Sequence, residues 1–300
     1  MAEHDTRTGL LYALAGFALL SVGDAVIKTM AGQWSPIAVA ALRFVFGAIG
    51  LSALLLVQQG PPAFRPRRPW LQFGRGLCLA MATIGFFSAV FLMPLAEATS
   101  LIFVAPIITA ILSGPILKER VPRITWLASL AAFGGVMLIL RPNFLELGWA
   151  ACLPLGSALF MSLLVLANRA VARDGSALSM QVFMAGVAAP TLILAAAAGH
   201  FSGEPILSIG VPDWTVIARC ALVAVTASTA HWLVFIGTTK AGAATIAPMT
   251  YVQILVAASL GWLWFGDVPD IATFAGAGII IAAGLMLWYA GRPRTLPISD

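Results

Sequence analysis

Charged side chains stand inside long apolar stretches of this 300-residue chain. They are Asp24, Lys28, Arg43, Arg75 and Arg219, with Glu97 near the end of another stretch. The sequence contains no P-loop, no G-x-S-x-G, no CxxC and no HExxH pair, and its three histidines and three cysteines are scattered. No catalytic constellation is therefore predicted, and the charged residues themselves are the functional candidates, because charges in apolar segments are costly and mark functional positions by default.

Three of these charges are predicted to share one depth. The helical rise puts Asp24 and Arg43 each about 10 Å from the outer end of their apolar segments. It puts Arg219 about 9 Å from the outer end of its own segment. Such a cluster could bind a zwitterion or form an external gate. The structural alternative is a buried Asp24–Arg43 ion pair that orients two helices, with Lys28 extending its ammonium group outward.

A second group of candidates is predicted to lie at or near the middle of the apolar segments. Tyr251 and Gln253 are the most informative, because a buried phenol or amide needs a polar partner, either in a cavity or on another helix. The Phe and Met side chains could instead only pack in the core. His231 could be structural, or it could carry a proton. The candidate substrate-binding residues are Ser21, Phe103, Phe160, Met161, His231, Trp232, Tyr251 and Gln253.

Prolines and small residues indicate how the helices bend and pack. Pro106 and Pro248 each remove a backbone hydrogen bond and predict kinks in corresponding segments. Two pairs of small residues spaced by four, Ala131 with Gly135 and Ala272 with Gly276, predict close helix contacts within each bundle or between protomers.

The elements that must position these residues are about ten apolar segments. Hydrophobic residues make up 60% of the chain and charged residues 10%, which excludes an ordinary soluble domain or a nucleic-acid binder. About 20 apolar residues cross the hydrocarbon core once as a helix, so the sequence predicts an all-α membrane protein. The predicted spans are 9–31, 36–58, 70–92, 95–117, 122–140, 148–170, 178–199, 213–237, 241–265 and 270–290.

The basic residues predict the orientation. With the N-terminus inside, twelve Lys and Arg residues in the loops and at the segment ends fall on the cytoplasmic side, and the external loops keep only Arg141. We therefore expect an inner-membrane, multi-pass protein with both termini cytoplasmic. Arg75 and Glu97 lie near segment ends, where snorkelling or loop contacts are expected. Asn168 and Arg169 are expected to be a helix cap and a topology signal.

An internal repeat divides the chain at an offset near 147. Residues 96–122 and 243–269 both open with small residues, run apolar for some twenty positions and end in a charge before Val-Pro. The halves are predicted as 1–146 and 147–300, each with five helices. Because five is odd, the second half enters the membrane from the opposite side, an inverted repeat that secondary transporters use to enclose a midplane site.

The chain resembles the drug/metabolite transporter superfamily in its EamA-type branch. Pro106, followed by a run to the sequence KERVP at 118–122, is similar to that family's proline and acidic closing motif. The second copy departs from it, since Gln253 stands where Pro106 stands in the first. The likeness is greatest to the bacterial amino-acid and aromatic-metabolite exporters, which implies transport by alternating access.

The sequence thus predicts a secondary transporter that exports amino acids or similar small metabolites. The alternatives are uptake of S-adenosylmethionine or a nucleoside-like metabolite, efflux of drugs, or, in another class, a lipid scramblase or an intramembrane enzyme. No cofactor and no metal are expected. The expected partners are a small-molecule substrate and membrane lipids; a monomer would suffice for transport, and a homodimer remains open.

Overall fold

The chain forms a bundle of helices in a computed structural model that describes residues 2–92, 95–141, 148–265 and 270–290. Helices α1 to α6 belong to the first half and α7 to α12 to the second. Their bounds are α1 Ala2–Lys28, α2 Pro36–Gln59, α3 Pro69–Leu92, α4 Leu95–Ile102, α5 Ala105–Leu117, α6 Arg123–Leu140, α7 Cys152–Ala170, α8 Ala177–Phe201, α9 Trp214–Ala241, α10 Ala243–Ile246, α11 Val252–Phe265 and α12 Ile271–Ala290.

These helices make ten crossings. Nine helical segments in the described part of the chain are long and apolar enough to span a membrane, and the shorter α5 continues α4 to complete the tenth. A helix satisfies its own backbone hydrogen bonds in lipid, so this apolar sequence has few other ways to cross. The predicted fold class, an all-α membrane protein with two inverted five-helix repeats, is confirmed.

The loops gather on two faces. The basic face holds the loops that follow α2, α5 and α7, and the Arg68–Asp174 ion pair joins two of them. The hydrogen bond from Arg68 to Asp174 raises the pKa of that guanidinium. On the opposite face, Asp213 and Asp270 accept backbone hydrogen bonds from Thr215 and Thr273 at the starts of α9 and α12, which lowers the pKa of both carboxyls.

The helices of one half pack mainly against those of the other. The largest pairings are α1 with α9, α6 with α12, α2 with α8 and α3 with α7. The pairings α1–α9 and α3–α7 are equivalent under exchange of the two halves, because α1 corresponds to α7 and α3 to α9. The core therefore lies between the repeats, as an inverted-repeat transporter requires.

Glycines allow the closest of these crossings. A Cβ on Gly135 would lie 2.8 Å from the Gly276 carbonyl oxygen, and one on Gly276 would lie 2.5 Å from the Gly135 oxygen. The predicted small-residue contact thus forms at Gly135 and Gly276, but between the two halves, so the expectation of contacts within each bundle is wrong for these two glycines; contacts between protomers stay a prediction. Spacing by four shows which face of a helix is small and not which partner it meets.

Both helices that carry the predicted kinks are discontinuous. The crossing made by α4 and α5 breaks at residues 103–104, with Pro106 in the first turn of α5. The corresponding crossing has α10, then a 3-10 stretch Ala247–Tyr251 with Pro248 in its first turn, then α11. Each break frees backbone carbonyl groups near mid-membrane, where a partner must be supplied by another helix.

Candidate functional site

A narrow crevice lies between α2, α8 and α9, at the junction of the two halves. Its walls carry Arg43 and Phe44 from α2, Gln181 and Met184 from α8, and His231 from α9. The cavity volume is about 20 Å³, which is room for roughly one water molecule. A metabolite site has a volume of some hundreds of Å³, so these helices must separate before a substrate can enter.

Polar atoms in this crevice have unused bonding capacity. The Arg43 guanidinium stacks on Phe44 at 4.6 Å from the ring centroid, and its buried Nε atom has no hydrogen-bond partner. Gln181 is 1% exposed and its amide nitrogen donates a long bond of 3.4 Å to the His231 carbonyl oxygen, while its Oε1 accepts none. A buried unpaired donor and acceptor are costly, and a substrate with both kinds of group would satisfy them.

Asp24 lies close enough to Arg43 for their charges to interact, although no ion pair within 4.0 Å joins the two in the residues that the structure describes. The Asp24 side chain is exposed and Arg43 is half-buried. The direct Asp24–Arg43 pair therefore stays a prediction for another state of the protein. Lys28, one turn further along α1, is exposed.

Arg219 does not join Asp24 and Arg43 by any hydrogen bond or ion pair in the described ranges. Its guanidinium donates to the Thr29 carbonyl oxygen at 2.8 Å and to Gln33 Oε1 at 2.8 Å. It therefore ties α9 to the segment after α1 at the opposite face. A similar depth on three helices did not bring Arg219 together with Asp24 and Arg43. Depth along a helix does not determine the direction in which a side chain points around the helix axis.

Tyr251 and Phe103 join the two broken crossings. Tyr251 is fully buried, its hydroxyl donates to the Phe103 carbonyl oxygen at 3.1 Å, and the two rings lie 5.8 Å apart. In this conformation Tyr251 therefore bonds another helix, which is one of the two roles that the sequence left open for it. It does not line the crevice. A cavity role for Tyr251 stays a prediction.

Two serines bind carbonyl groups near the breaks. Ser21 on α1 donates to the Gln253 carbonyl oxygen at 2.9 Å, and Ser162 on α7 donates to the Ala105 carbonyl oxygen at 2.8 Å. Each bond runs from the first helix of one half to the broken crossing of the other half. Ser21 and Gln253 are thus brought together as neighbours, through the backbone of Gln253.

The remaining candidates lie in different surroundings. Met161 packs against the apolar cluster of α2, α3, α7 and α8, Phe160 is half-buried, and Trp232 is 44% exposed and off the crevice wall. His231 lines the crevice as predicted, but its role in binding stays untested. The side chain of Glu97 lies outside the described residues.

Arg75 is the main correction to the sequence analysis. It neither snorkels nor contacts a loop: it is 0% exposed, and it donates to Asn168 Oδ1 at 2.9 Å, to Gln72 Oε1 and to the Met180 carbonyl oxygen at 3.1 Å. It thereby joins α3, α7 and α8. Gln72 and Arg75, spaced by three on one helix face, were the available signal.

Arg169 also does more than cap a helix. Its Nε lies 2.6 Å from Glu119 Oε1, and its Nη1 donates to the Thr239 carbonyl oxygen at 2.6 Å. These contacts join the ends of α5, α7 and α9 at the basic face. We call this set of three residues the basic-face tie; its Glu119–Arg169 ion pair links the two halves, and its Arg169–Thr239 bond joins α7 to α9 within the second half.

Comparison with known proteins agrees with this architecture. The EamA-like transporter family matches the chain twice, at residues 7–141 and 148–289. One solved crystal structure superposes with a TM-score of 0.80 over 98% of this chain and 100% of its own, at 19% identity, which supports the fold alone.

Characterised relatives transport several kinds of metabolite. The S-adenosylmethionine uptake transporter of Rickettsia prowazekii is 25% identical over 95% of this chain and 93% of its own. The pseudopaline exporter CntI of Pseudomonas aeruginosa is 25% identical over 94% and 96%. The riboflavin transporter of Rhizobium johnstonii is 26% identical over 77% and 74%. The ten crossings and both family matches together establish that this chain is a multi-pass membrane protein of the EamA-like transporter family, a secondary transporter of small molecules.

Proposed function

We propose that this transporter carries small zwitterionic metabolites with an apolar part, amino acids such as Met, Leu or Phe first among them, out of the cell across the inner membrane. The observation that carries the proposal is the opposed charge of Asp24 and Arg43. No ion pair within 4.0 Å joins the two in the described residues, the Asp24 side chain is exposed, and the buried Nε atom of Arg43 has no hydrogen-bond partner. A zwitterion placed between them would meet an acid with its ammonium group and a guanidinium with its carboxylate.

The crevice beside Arg43, which Asp24 does not line, suits the apolar part of such a molecule. Phe44, Met184 and a row of alanines surround the polar atoms, and an apolar pocket with a few placed polar groups is the usual form of a small-molecule site. A phosphorylated metabolite would need several Arg or Lys side chains converging on one point. The crevice wall contributes one, Arg43.

The direction of transport rests on the resemblance to amino-acid exporters. Uptake of S-adenosylmethionine is the second candidate, because the transporter named for that substrate aligns over 95% of this chain at 25% identity. Riboflavin is a third substrate to test for the same reason. The orientation, with the basic face in the cytoplasm, is part of the proposal and rests on the distribution of Lys and Arg.

A substrate panel in proteoliposomes tests the proposal. Purified protein is reconstituted without ATP, and flux of Met, Leu, Phe, S-adenosylmethionine, riboflavin and a sugar phosphate is measured down each gradient. We expect flux of the neutral amino acids, and we expect Asp24→Asn and Arg43→Gln to reduce it at normal protein level.

Each other outcome decides against a part of the proposal. Flux of S-adenosylmethionine or riboflavin without amino-acid flux refutes the substrate class. Amino-acid flux that ignores both charge substitutions refutes the assignment of the site. Lipid flipping without flux of any metabolite refutes the transport function in favour of a scramblase.

A further inference from the structure

The guanidinium of Arg75 is buried without an acidic partner. Its three acceptors, from Asn168, Gln72 and the Met180 backbone, are neutral, and no carboxylate lies within 4.0 Å among the described residues. Its Nη2 atom is buried and has no hydrogen-bond partner. An arginine keeps its charge even when buried. The carboxylate that acts on it electrostatically, Asp174, is itself ion-paired with Arg68, so the positive charge of Arg75 has no acid of its own among the described residues.

Arg75 lies beyond the end of the crevice that faces the basic face. Its Met180 acceptor is the neighbour of Gln181, which lines the crevice. Its guanidinium also lies 5.5 Å from the ring centroid of Phe235, one helical turn after His231 on α9. Both Arg43 and Arg75 act electrostatically on His231.

The two arginines approach the crevice from opposite faces. Arg43 is seven residues into α2, which starts at the opposite face, and Arg75 is six residues into α3, which starts at the basic face. Each is therefore roughly 10 Å deep. Both have one buried guanidinium nitrogen without a partner, and His231 and Gln181 lie between them.

We infer that Arg75 is a second binding station for the carboxylate of the substrate, used when the bundle is open to the basic face, with Arg43 serving the other state. The inference rests on the proposed function and adds a specific requirement to it: the substrate must carry a carboxylate. In this structure Arg75 is buried away from solvent, and the neutral side chains of Asn168 and Gln72 accept its hydrogen bonds in place of a carboxylate. Separation of α3 from α7 and α8 exposes the guanidinium, and the carboxylate then replaces a neutral acceptor.

The energetic reason is the cost of the buried charge. A buried guanidinium with only neutral acceptors is expensive, and a purely structural link between three helices could use an amide in its place. A carboxylate would make charge-assisted bonds, which are about twice as strong as neutral ones. Binding of the substrate would therefore stabilise the open state that contains it, as alternating access requires.

Side-specific affinity tests the inference. In oriented proteoliposomes, half-saturation is measured for L-phenylalanine and for L-phenylalaninamide added from the basic face or from the opposite face. For Arg75→Gln we expect half-saturation for phenylalanine from the basic face to rise roughly 10- to 100-fold. The value from the opposite face should change less than about threefold, and the preference for acid over amide should be lost only on the basic side.

Two variants separate this role from a structural one. Arg75→Lys keeps the charge and should recover part of the affinity, whereas Arg67→Gln removes an exposed charge from the same face and should change neither value. The melting temperature of each variant is measured without substrate. Equal loss of acid and amide transport from both sides, with a lowered melting temperature, overturns the inference and assigns Arg75 to structure.

The two proposals fail in different ways. Absence of amino-acid flux and binding in the wild type refutes the proposed function, and the inference with it. Normal wild-type flux with an unchanged side-specific preference in Arg75→Gln refutes the inference alone.

Discussion

The basic-face tie should hold that end of the bundle closed. Glu119 belongs to the first half and Arg169 to the second, and their Nε–Oε1 distance is 2.6 Å. A second bond of 2.6 Å runs from Arg169 to the Thr239 carbonyl oxygen. Only the ion pair joins one half to the other, because Arg169 and Thr239 both belong to the second half. If the halves move apart here during transport, the ion pair must break, so removing it should favour the state open to the basic face.

The magnitude follows from the exposure of the pair. The side chains of Arg169 and Glu119 are 32% and 30% exposed, so the pair is neither fully exposed nor buried. A surface ion pair stabilises by up to about 1 kcal/mol, and a hydrogen bond to a charged group by about 1.5–3 kcal/mol. We therefore expect Glu119→Gln and Arg169→Gln each to cost the closed state about 1 kcal/mol, because both remove the same ion pair between the halves. This corresponds to a shift of roughly 5-fold in the open-to-closed ratio.

Labelling of an introduced cysteine measures this ratio. Val171, 0% exposed and just after α7, is replaced by Cys in a variant without the three native cysteines, and its reaction with an impermeant maleimide is timed. The rate should rise in the proportion given above in either variant. The double variant should label like either single variant, because the ion pair is lost only once.

The exposed Arg141–Asp270 pair on the opposite face provides the control. Its side chains are 58% and 53% exposed, so Asp270→Asn should leave the labelling rate at position 171 unchanged. An unchanged rate in both Glu119→Gln and Arg169→Gln would show that the tie does not hold this face closed. Fully additive effects in the double variant would show that the two side chains are not coupled.

Three further predictions concern orientation, charge pairing and the midplane. A topology reporter fused after Gly60 should read as cytoplasmic, as should one at the carboxyl terminus, and an external reading at either would end the proposed orientation. Asp24→Asn and Arg43→Gln should each impair transport, and the double variant should be at least as impaired as either single variant, because the two charges meet different groups of the zwitterion; recovery of transport in the double variant would instead indicate a direct ion pair and contradict the proposed site. Ser21→Ala and Ser162→Ala should each lower thermal stability by about 1 kcal/mol and slow transport, and a change in only one of the two would argue against equivalent roles.

The sequence predicted the architecture because its signals are strong and local. Ten apolar segments, a proline in each of two corresponding segments and an odd number of helices per half determine most of the topology. The structure agrees on the crossings and shows helix breaks beside Pro106 and Pro248. These features depend on length and backbone chemistry, which can be read without knowing which side chains meet.

The contacts of the site could not be predicted in the same way. Rise per residue gives the depth of a side chain, but its direction around the helix decides its partner. Snorkelling or loop contacts were therefore expected of Arg75, although it is buried among Gln72, Asn168 and Met180. Tyr251 was correctly expected to need a partner, but the Phe103 carbonyl group is available only because helix α4 ends just before it.

The contacts between the halves divide into two kinds, and the difference bears on mechanism. The bonds of Ser21 and Ser162 lie near mid-membrane and are related by exchange of the halves, since each joins a first helix to the broken crossing of the other repeat. The ties at the two faces are not equivalent: an ion pair of Glu119 with Arg169 holds one, and Arg219 with backbone and amide oxygens holds the other. In an inverted repeat, exchanging the conformations of the halves exchanges the open face. The two serine bonds would swap places in that exchange and so can persist in both states, whereas the face ties must break in turn. The serine bonds therefore suit a pivot about which the two halves rotate. The unequal contacts at the two faces determine which face is closed in the absence of substrate.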